Sequence, residues 1–282
     1  LVRRELLARG AGHVVASNNA CLAVAGARRT VLLRNALHFL YPHEEHLLRR
    51  LPRSMTAQIP VVRRLLARAD VVVVPATAMA ERVIRHAPRT ADRIVVRPHP
   101  VTPVGRRQPA TDPFVLVPVV PGPYKNLVDE LRALVAVTTA PMRLWVTAQQ
   151  HELPADLAEH PQVVVLGRVP VADVDELWRT ASAVFYPSTV EAFGYPLAEA
   201  RANGVAVIAP DSAQTREIAG PALRGYRLGD PDSLRAALAG CAEAVEADPE
   251  PFAREPYFRW LLGADRQVPA GEAAGRLVRV DR

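Results

Sequence analysis

Two glutamates, Glu191 and Glu199, bracket Phe193, Gly194, Tyr195 and Pro196 within the stretch 184–210, VFYPSTVEAFGYPLAEARANGVAVIAP. A carboxylate accepts hydrogen bonds from hydroxyl groups. The unpaired N–H groups at a helix start attract anions, phosphate above all. Gly194 puts no side chain between the backbone and a ligand. Glu199 falls one turn inside the expected helix, and Glu191 lies in the loop before it. Carboxylates flanking an anion site suit a ligand with polyol ends and a charged middle, which is the form of a nucleotide-sugar: sugar, diphosphate, ribose. Two glutamates alone also fit an ordinary capped helix with a charged surface.

The elements that must position these residues can be read around them. Val184-Phe185-Tyr186 is a short apolar run of the kind a buried strand needs. Pro187, Ser188 and Thr189 open a loop. Pro196 suits the first turn of a helix, where its missing N–H costs nothing. Asn203-Gly204 is a helix stop, and Val205 to Ala209 is the next strand. The unit is strand, loop, helix, strand.

EAFGYPLAE, with seven residues between its glutamates, resembles the E-x7-E signature of retaining GT-B glycosyltransferases of the family 4, or "group 1", type. The resemblance runs through PSTVEAFGYPLAEARANGVAVIAP, with Ala192 where the family usually has glycine. It implies that Glu191 faces the donor sugar and Glu199 the ribose. The Phe193, Gly194, Tyr195 and Pro196 backbone would line the sugar and diphosphate. ADVVVVPATAMAERV followed by DRIVVRPHPV resembles the end of the family's N-terminal domain and the strand leading to its linker.

Lys125 is the only lysine, set against 34 arginines, and it sits beside Asn126 in a turn between a strand and a helix. A compact cation there suits phosphate. Family members carry a lysine at the matching place, usually with an arginine about five residues earlier. That place falls near Val120, so Arg168, in the GRVP turn, is the expected substitute. Asp173 and Asp175 spell a DxD of the kind that holds a divalent metal elsewhere. Their place at a helix start accounts for them through the helix dipole, and no metal is expected. His43-Glu44-Glu45-His46 lacks a third ligand nearby and reads as a solvated face. Asn35 and His38 follow a strand end, where family members often have an acceptor-side polar residue, so His38 is a catalytic candidate by resemblance.

Composition narrows the rest. Apolar residues make up 49% of 282, enough for a substantial core. No apolar run reaches the roughly 20 residues of a membrane helix, and LVRRELLARG has charges where a signal peptide needs an apolar core. Cys21 and Cys241 match no metal or redox spacing and read as reduced thiols of a cytoplasmic protein. Residues 1–108 hold 19 arginines and 6 acids, a net of +13, whereas 109–282 hold 16 basic and 23 acidic residues, a net of −7. Such asymmetry implies that the first half meets something anionic: acidic lipid at the inner face of a membrane, or a phosphorylated acceptor. No nucleic-acid module accompanies it.

The expected fold class is α/β and GT-B-like: two Rossmann-like domains with parallel sheets. Residues 1–108 form the acceptor-side domain and 109–250 the nucleotide-sugar domain. The tail, 251–282, carries Phe252, Tyr257, Phe258 and Trp260 and packs back toward the first domain. Helices are expected over the first residues and over ACLAVAGARR, at 57–69 and from Thr77 as N-cap. Further on they are expected at 127–137, 171–181 and 233–247, while 43–56 shows no periodicity. The first 108 residues offer about four strand candidates, against about six in a doubly wound domain. The family's opening strand and Gly-rich loop have no counterpart, so the N-terminal domain is expected to be incomplete. The expected activity is metal-independent transfer of a sugar, with retention, from a UDP- or GDP-linked donor to a sugar, lipid-linked or small-molecule acceptor. The alternative is a nucleotide-sugar-binding protein without turnover.

Overall fold

Four apolar runs in the first hundred residues form one parallel sheet in the computed structural model, which describes residues 11–21, 25–122 and 124–263. The strands are β1 (His13–Ala16), β2 (Arg28–Leu32), β3 (Val71–Val74) and β4 (Ile94–Val96), in spatial order β1-β2-β3-β4. All four valines of β3 are buried, as expected for a strand covered on both faces. Helices α1 (Arg53–Leu66) and α2 (Thr77–His86) follow β2 and β3. The helix starting at Thr77 is capped by Ala76 and not by Thr77, with no side-chain bond at its cap. The aperiodic stretch before α1 is a 3-10 helix, Pro42–Arg50. Its order comes from a partner far along the chain. The buried Glu44 carboxylate accepts from both terminal guanidinium nitrogens of Arg82, and that guanidinium lies 4.2 Å over the Tyr41 ring.

The second sheet is all parallel, in order β10-β9-β8-β5-β6-β7. Its strands are β5 (Phe114–Val117), β6 (Arg143–Val146), β7 (Val163–Val165), β8 (Ala183–Phe185), β9 (Ala206–Pro210) and β10 (Leu223–Tyr226). Counted from β5 this is the 3-2-1-4-5-6 order of a doubly wound fold. Helices α3 (Leu127–Val137), α4 (Ala155–Ala158), α5 (Val171–Thr180), α6 (Tyr195–Asn203) and α7 (Ala213–Ala219) connect the strands, and α8 (Pro231–Ala239) and α9 (Arg254–Leu262) follow. Leu127, Leu131 and Leu134 of α3 are buried against Val115, Val117 and Leu144, because a spacing of three and four residues keeps them on one helix face. The last helix of this sheet ends at Ala239, not at 247, where Gly240 takes the cap position and a short 3-10 turn follows.

The chain divides into two contact units. One holds the described residues up to His99 with Val190–Phe193 and those from Arg259 on. The other holds Pro100–Thr189 and Gly194–Phe258. Residues after Pro100 are fastened to the second unit: Asn203 Oδ1 accepts from the Val104 N–H at 2.8 Å, and Arg107 Nη1 donates to the Gly204 carbonyl at 3.1 Å. The helix expected at the very start lies outside the described residues, as does the tail beyond 263. Of ACLAVAGARR, residues 22–24 lie outside them and Arg28 and Arg29 open β2 instead.

Candidate functional site

In a doubly wound sheet the strand order reverses at one point, and the loops leaving the carboxyl ends of the two strands there form a crevice. In the second unit those strands are β5 and β8, paired through Val115 with Ala183 and Leu116 with Val184. The loop after β5 carries Lys125 and Asn126. The loop after β8 leads through Thr189 and Gly194 into α6. The topology therefore brings the lysine and the helix start to one crevice.

Local bonds join the two loops. Asn126 Nδ2 donates to the Thr189 hydroxyl at 3.0 Å. The Lys125 ammonium lies 5.2 Å from the Tyr124 ring centre and 5.7 Å from that of Tyr186, within cation–π range. Asn126 is in the left-handed region at φ 53°, a conformation asparagine tolerates better than most residues. Tyr186, in the run that reads as strand, is therefore also part of the lysine's setting. Its aromatic character was the available signal.

Gly194 caps α6 at φ +82°, and a Cβ there would meet Leu197 Cδ1 at 2.9 Å and Tyr186 Cε1 at 3.3 Å. The glycine is required by the turn itself, before any ligand is considered. Tyr195 and Pro196 form the first turn of α6, and Glu199 lies on its next turn, half-buried. Burial, with the Asp175 carboxylate of α5 adding to it, pushes the Glu199 carboxyl up to about 7. Asp175 thus has an electrostatic partner in α6.

Arg168 stands beside a separate cavity of about 250 Å³ over the carboxyl ends of β5 and β6, lined also by Val120, Thr147, Val169, Leu177 and Trp178. Its guanidinium is ion-paired with Glu152, which also accepts from the Gln149 N–H at 2.8 Å. Sequence reasoning missed Glu152, because the pairing spans 16 residues that include α4 and β7. Val120, at the place where the family has arginine, is 65% exposed.

Glu191 and Phe193 group with the first unit. There Phe193 meets the His99 ring edge-on at 5.3 Å, and His99 is held down at about 4, chiefly by burial. His38 is 2% exposed, and neither ring nitrogen has a hydrogen-bond partner among the described residues. Burial, with Arg63 beside it, lowers its pKa. Asn35 caps the short 3-10 turn that holds His38, accepting from the Leu37 N–H at 2.9 Å. Among the described residues no group of three or more His, Cys, Asp or Glu is placed to share a metal ion, and no helix is long and apolar enough to cross a membrane.

Residues 146–252 match the family described as Glycosyl transferases group 1. No curated protein matches the chain's sequence. Among solved structures the chain is similar to sucrose-phosphate synthase (tll1590) from Thermosynechococcus elongatus, with TM-score 0.65 and 15% identity, over 94% of this chain and 76% of that one. It is similar to WaaG, a glycosyltransferase involved in lipopolysaccharide biosynthesis, with TM-score 0.62 and 16% identity over 96% and 77%. A TarM variant of S. aureus, in complex with Fondaparinux, alpha-GlcNAc-glycerol and UDP, gives TM-score 0.58 and 13% identity over 81% and 46%. The fold is that of the GT-B glycosyltransferases.

Proposed function

We propose that this chain, a GT-B protein whose residues 146–252 match the glycosyl transferases group 1 family, transfers a sugar from a nucleotide-sugar donor to an acceptor with retention of configuration. The observation that carries the reading is the crevice at the β5–β8 switch point. There a lone lysine and a helix start are tied together by Asn126–Thr189 and by Tyr186. The difficult part of glycosyl transfer is the charge that develops on the departing diphosphate. Fixed donors aimed at it lower the barrier without reorganising. Lys125 and the N–H groups of Tyr195 and Pro196's successors in α6 would supply them, with Arg168 as a second cation. Glu199 would accept from the ribose hydroxyls, and Glu191 would face the donor sugar. These cations take the part a metal plays elsewhere, so turnover is expected without one.

The Arg168 cavity suits a flat ring. Val120, Val169, Leu177 and Trp178 give apolar walls, and Thr147 and Arg168 give polar edges. UDP is bound by one structural neighbour, which favours a uridine donor as the first to try. The exposed arginines Arg53 and Arg64 lie in a helix, α1, that contains no acid, and Arg49, Arg50 and Arg68 flank it. They fit an acceptor or surface carrying negative charge.

The deciding experiment is calorimetric titration of UDP- and GDP-sugars into the protein, paired with assays of donor hydrolysis and transfer. Binding lost in Glu199→Ala and Lys125→Ala, together with a product of retained configuration by NMR, supports the reading. Unchanged affinity in both variants removes it. The second reading, donor binding without turnover, is favoured by Val120 in place of the arginine, and predicts binding with neither hydrolysis nor transfer.

A further inference from the structure

At the opposite end of the same sheet a second cavity, of about 550 Å³, opens where β5, β6 and β7 begin. It is lined by Asp112, Pro141, Arg143, Trp145, Pro161 and Gln162 among others, all in the second unit. Its volume lies within the range of about 300–1,000 Å³ typical of small-molecule sites. Each of these residues precedes or opens a strand, except Trp145, the third residue of β6, whereas Lys125 and α6 follow strand ends. A four-residue strand is roughly 13 Å long. The two places are therefore on opposite edges of the sheet and do not form one pocket.

The chemistry of the lining is specific. Trp145 is half-buried and stacked on Phe114, with ring centres 4.1 Å apart and planes 17° apart. Phe114 is fully buried at the first position of β5, so it backs the indole and holds it in place. Asp112 and Arg143 are exposed at the rim, and among the described residues no side-chain hydrogen bond or ion pair engages either. Gln162 gives its amide nitrogen to the Thr138 carbonyl at 3.1 Å, which fixes the side chain and leaves its oxygen as an acceptor. The cavity thus offers an aromatic platform with a carboxylate, a guanidinium and an amide around it. An anion would be repelled by Asp112 and a cation by Arg143. A neutral ring with an apolar C–H face and hydroxyls that both donate and accept would satisfy all of them.

We propose that this cavity is a saccharide-binding site, separate from the donor crevice, which holds one neutral sugar ring of an oligosaccharide against Trp145. It does not depend on the protein being a transferase. If the chain does transfer sugars, the site would hold an acceptor or product glycan away from the reacting centre.

The test uses the whole chain and immobilised neutral trisaccharides: maltotriose, cellotriose, chitotriose and mannotriose. At least one is expected to bind. Trp145→Ala, Asp112→Asn and Arg143→Gln should each weaken that binding by about tenfold, while Trp145→Phe keeps most of it. Asp112 and Arg143 are exposed, so their variants keep the answer readable should Trp145→Ala fold poorly. Glu199→Gln should leave glycan binding unchanged, and this separates the result from the fate of the donor site. No trisaccharide bound at about millimolar concentration would overturn the proposal, since weak lectin-like sites still register there. So would binding that survives all three cavity substitutions, or displacement of the glycan by a proline-rich peptide, which would mark the Trp–Pro surface as a peptide groove.

Discussion

Asn126 donates from its side-chain amide to the Thr189 hydroxyl at 3.0 Å, and this bond joins the turn that carries Lys125 to the loop that leads into α6. The two residues are 63 positions apart, in loops leaving the two strands that meet where the sheet reverses order.

Replacing Asn126 tests that link. Asn126→Gly keeps the left-handed backbone and removes the bond, whereas Asn126→Ala removes the bond but keeps a Cβ at φ 53° without the amide that helps asparagine tolerate it. The alanine variant is expected to lose about 1 kcal/mol more stability than the glycine variant in urea unfolding. Both should lose affinity for a nucleotide-sugar by a similar factor. Glycine and alanine of equal stability would show that the left-handed turn relaxes at no cost.

Lys125→Ala should lower the rate of donor cleavage on the order of 10²-fold, as removal of a fixed donor to developing charge does elsewhere. Lys125→Arg should recover little of it, because a planar fork does not occupy the place of a compact ammonium between two tyrosine rings. Single-turnover kinetics with a UDP-sugar will read both, and full activity in Lys125→Arg would remove the geometric argument.

Donor affinity should rise with pH through the neutral range. Glu199 sits at about 7, raised first by burial and then by Asp175, and only its ionised form accepts hydrogen bonds with both oxygens from a ribose. Glu199→Gln should flatten the profile, and Asp175→Asn should move its midpoint to lower pH. The same shift acts on stability with the opposite sign. The folded state holds this proton more tightly than the unfolded one, so the contribution of Glu199 is fully present below about 4.5 and is lost as pH rises toward about 7. Titrations at several pH values, with thermal melts alongside, check both halves.

Gly194→Ala should cost about 1–2 kcal/mol from the backbone alone, and more from the approach to Leu197 at 2.9 Å. Gly229→Ala, at φ +73° but with nothing within 4 Å of the added Cβ, is the control. It should show the backbone part without the contact part in chemical denaturation.

Transfer should proceed unchanged in EDTA. Loss of turnover on chelation, restored by manganese, would give Asp173 and Asp175 a role that their helix-start position leaves unneeded.

Much of this was legible in the sequence because it rests on local pattern. The α3 boundaries, Leu127–Val137, follow from a clean spacing of leucines, and β3 from an unbroken run of valines. The loop and helix at 187–203 follow from punctuation by proline and glycine. What escaped depends on distant partners. The 3-10 turn at Pro42–Arg50 has no periodicity of its own and is ordered by Arg82, 38 residues beyond Glu44. Arg168 was visible as a cation, but not its tie to Glu152. In sequence Gly194 reads as room for a ligand, whereas its positive φ and the crowding by Leu197 already require it.

The lone lysine has a further use. An amine-reactive dye has one side-chain target in the whole chain, and that target is half-buried against Tyr124 and Tyr186. Composition has made Lys125 a natural single-site reporter. Peptide mapping after a brief labelling pulse, with and without nucleotide, would read occupancy of the crevice directly from one residue, with no engineered tag and no assay for the reaction.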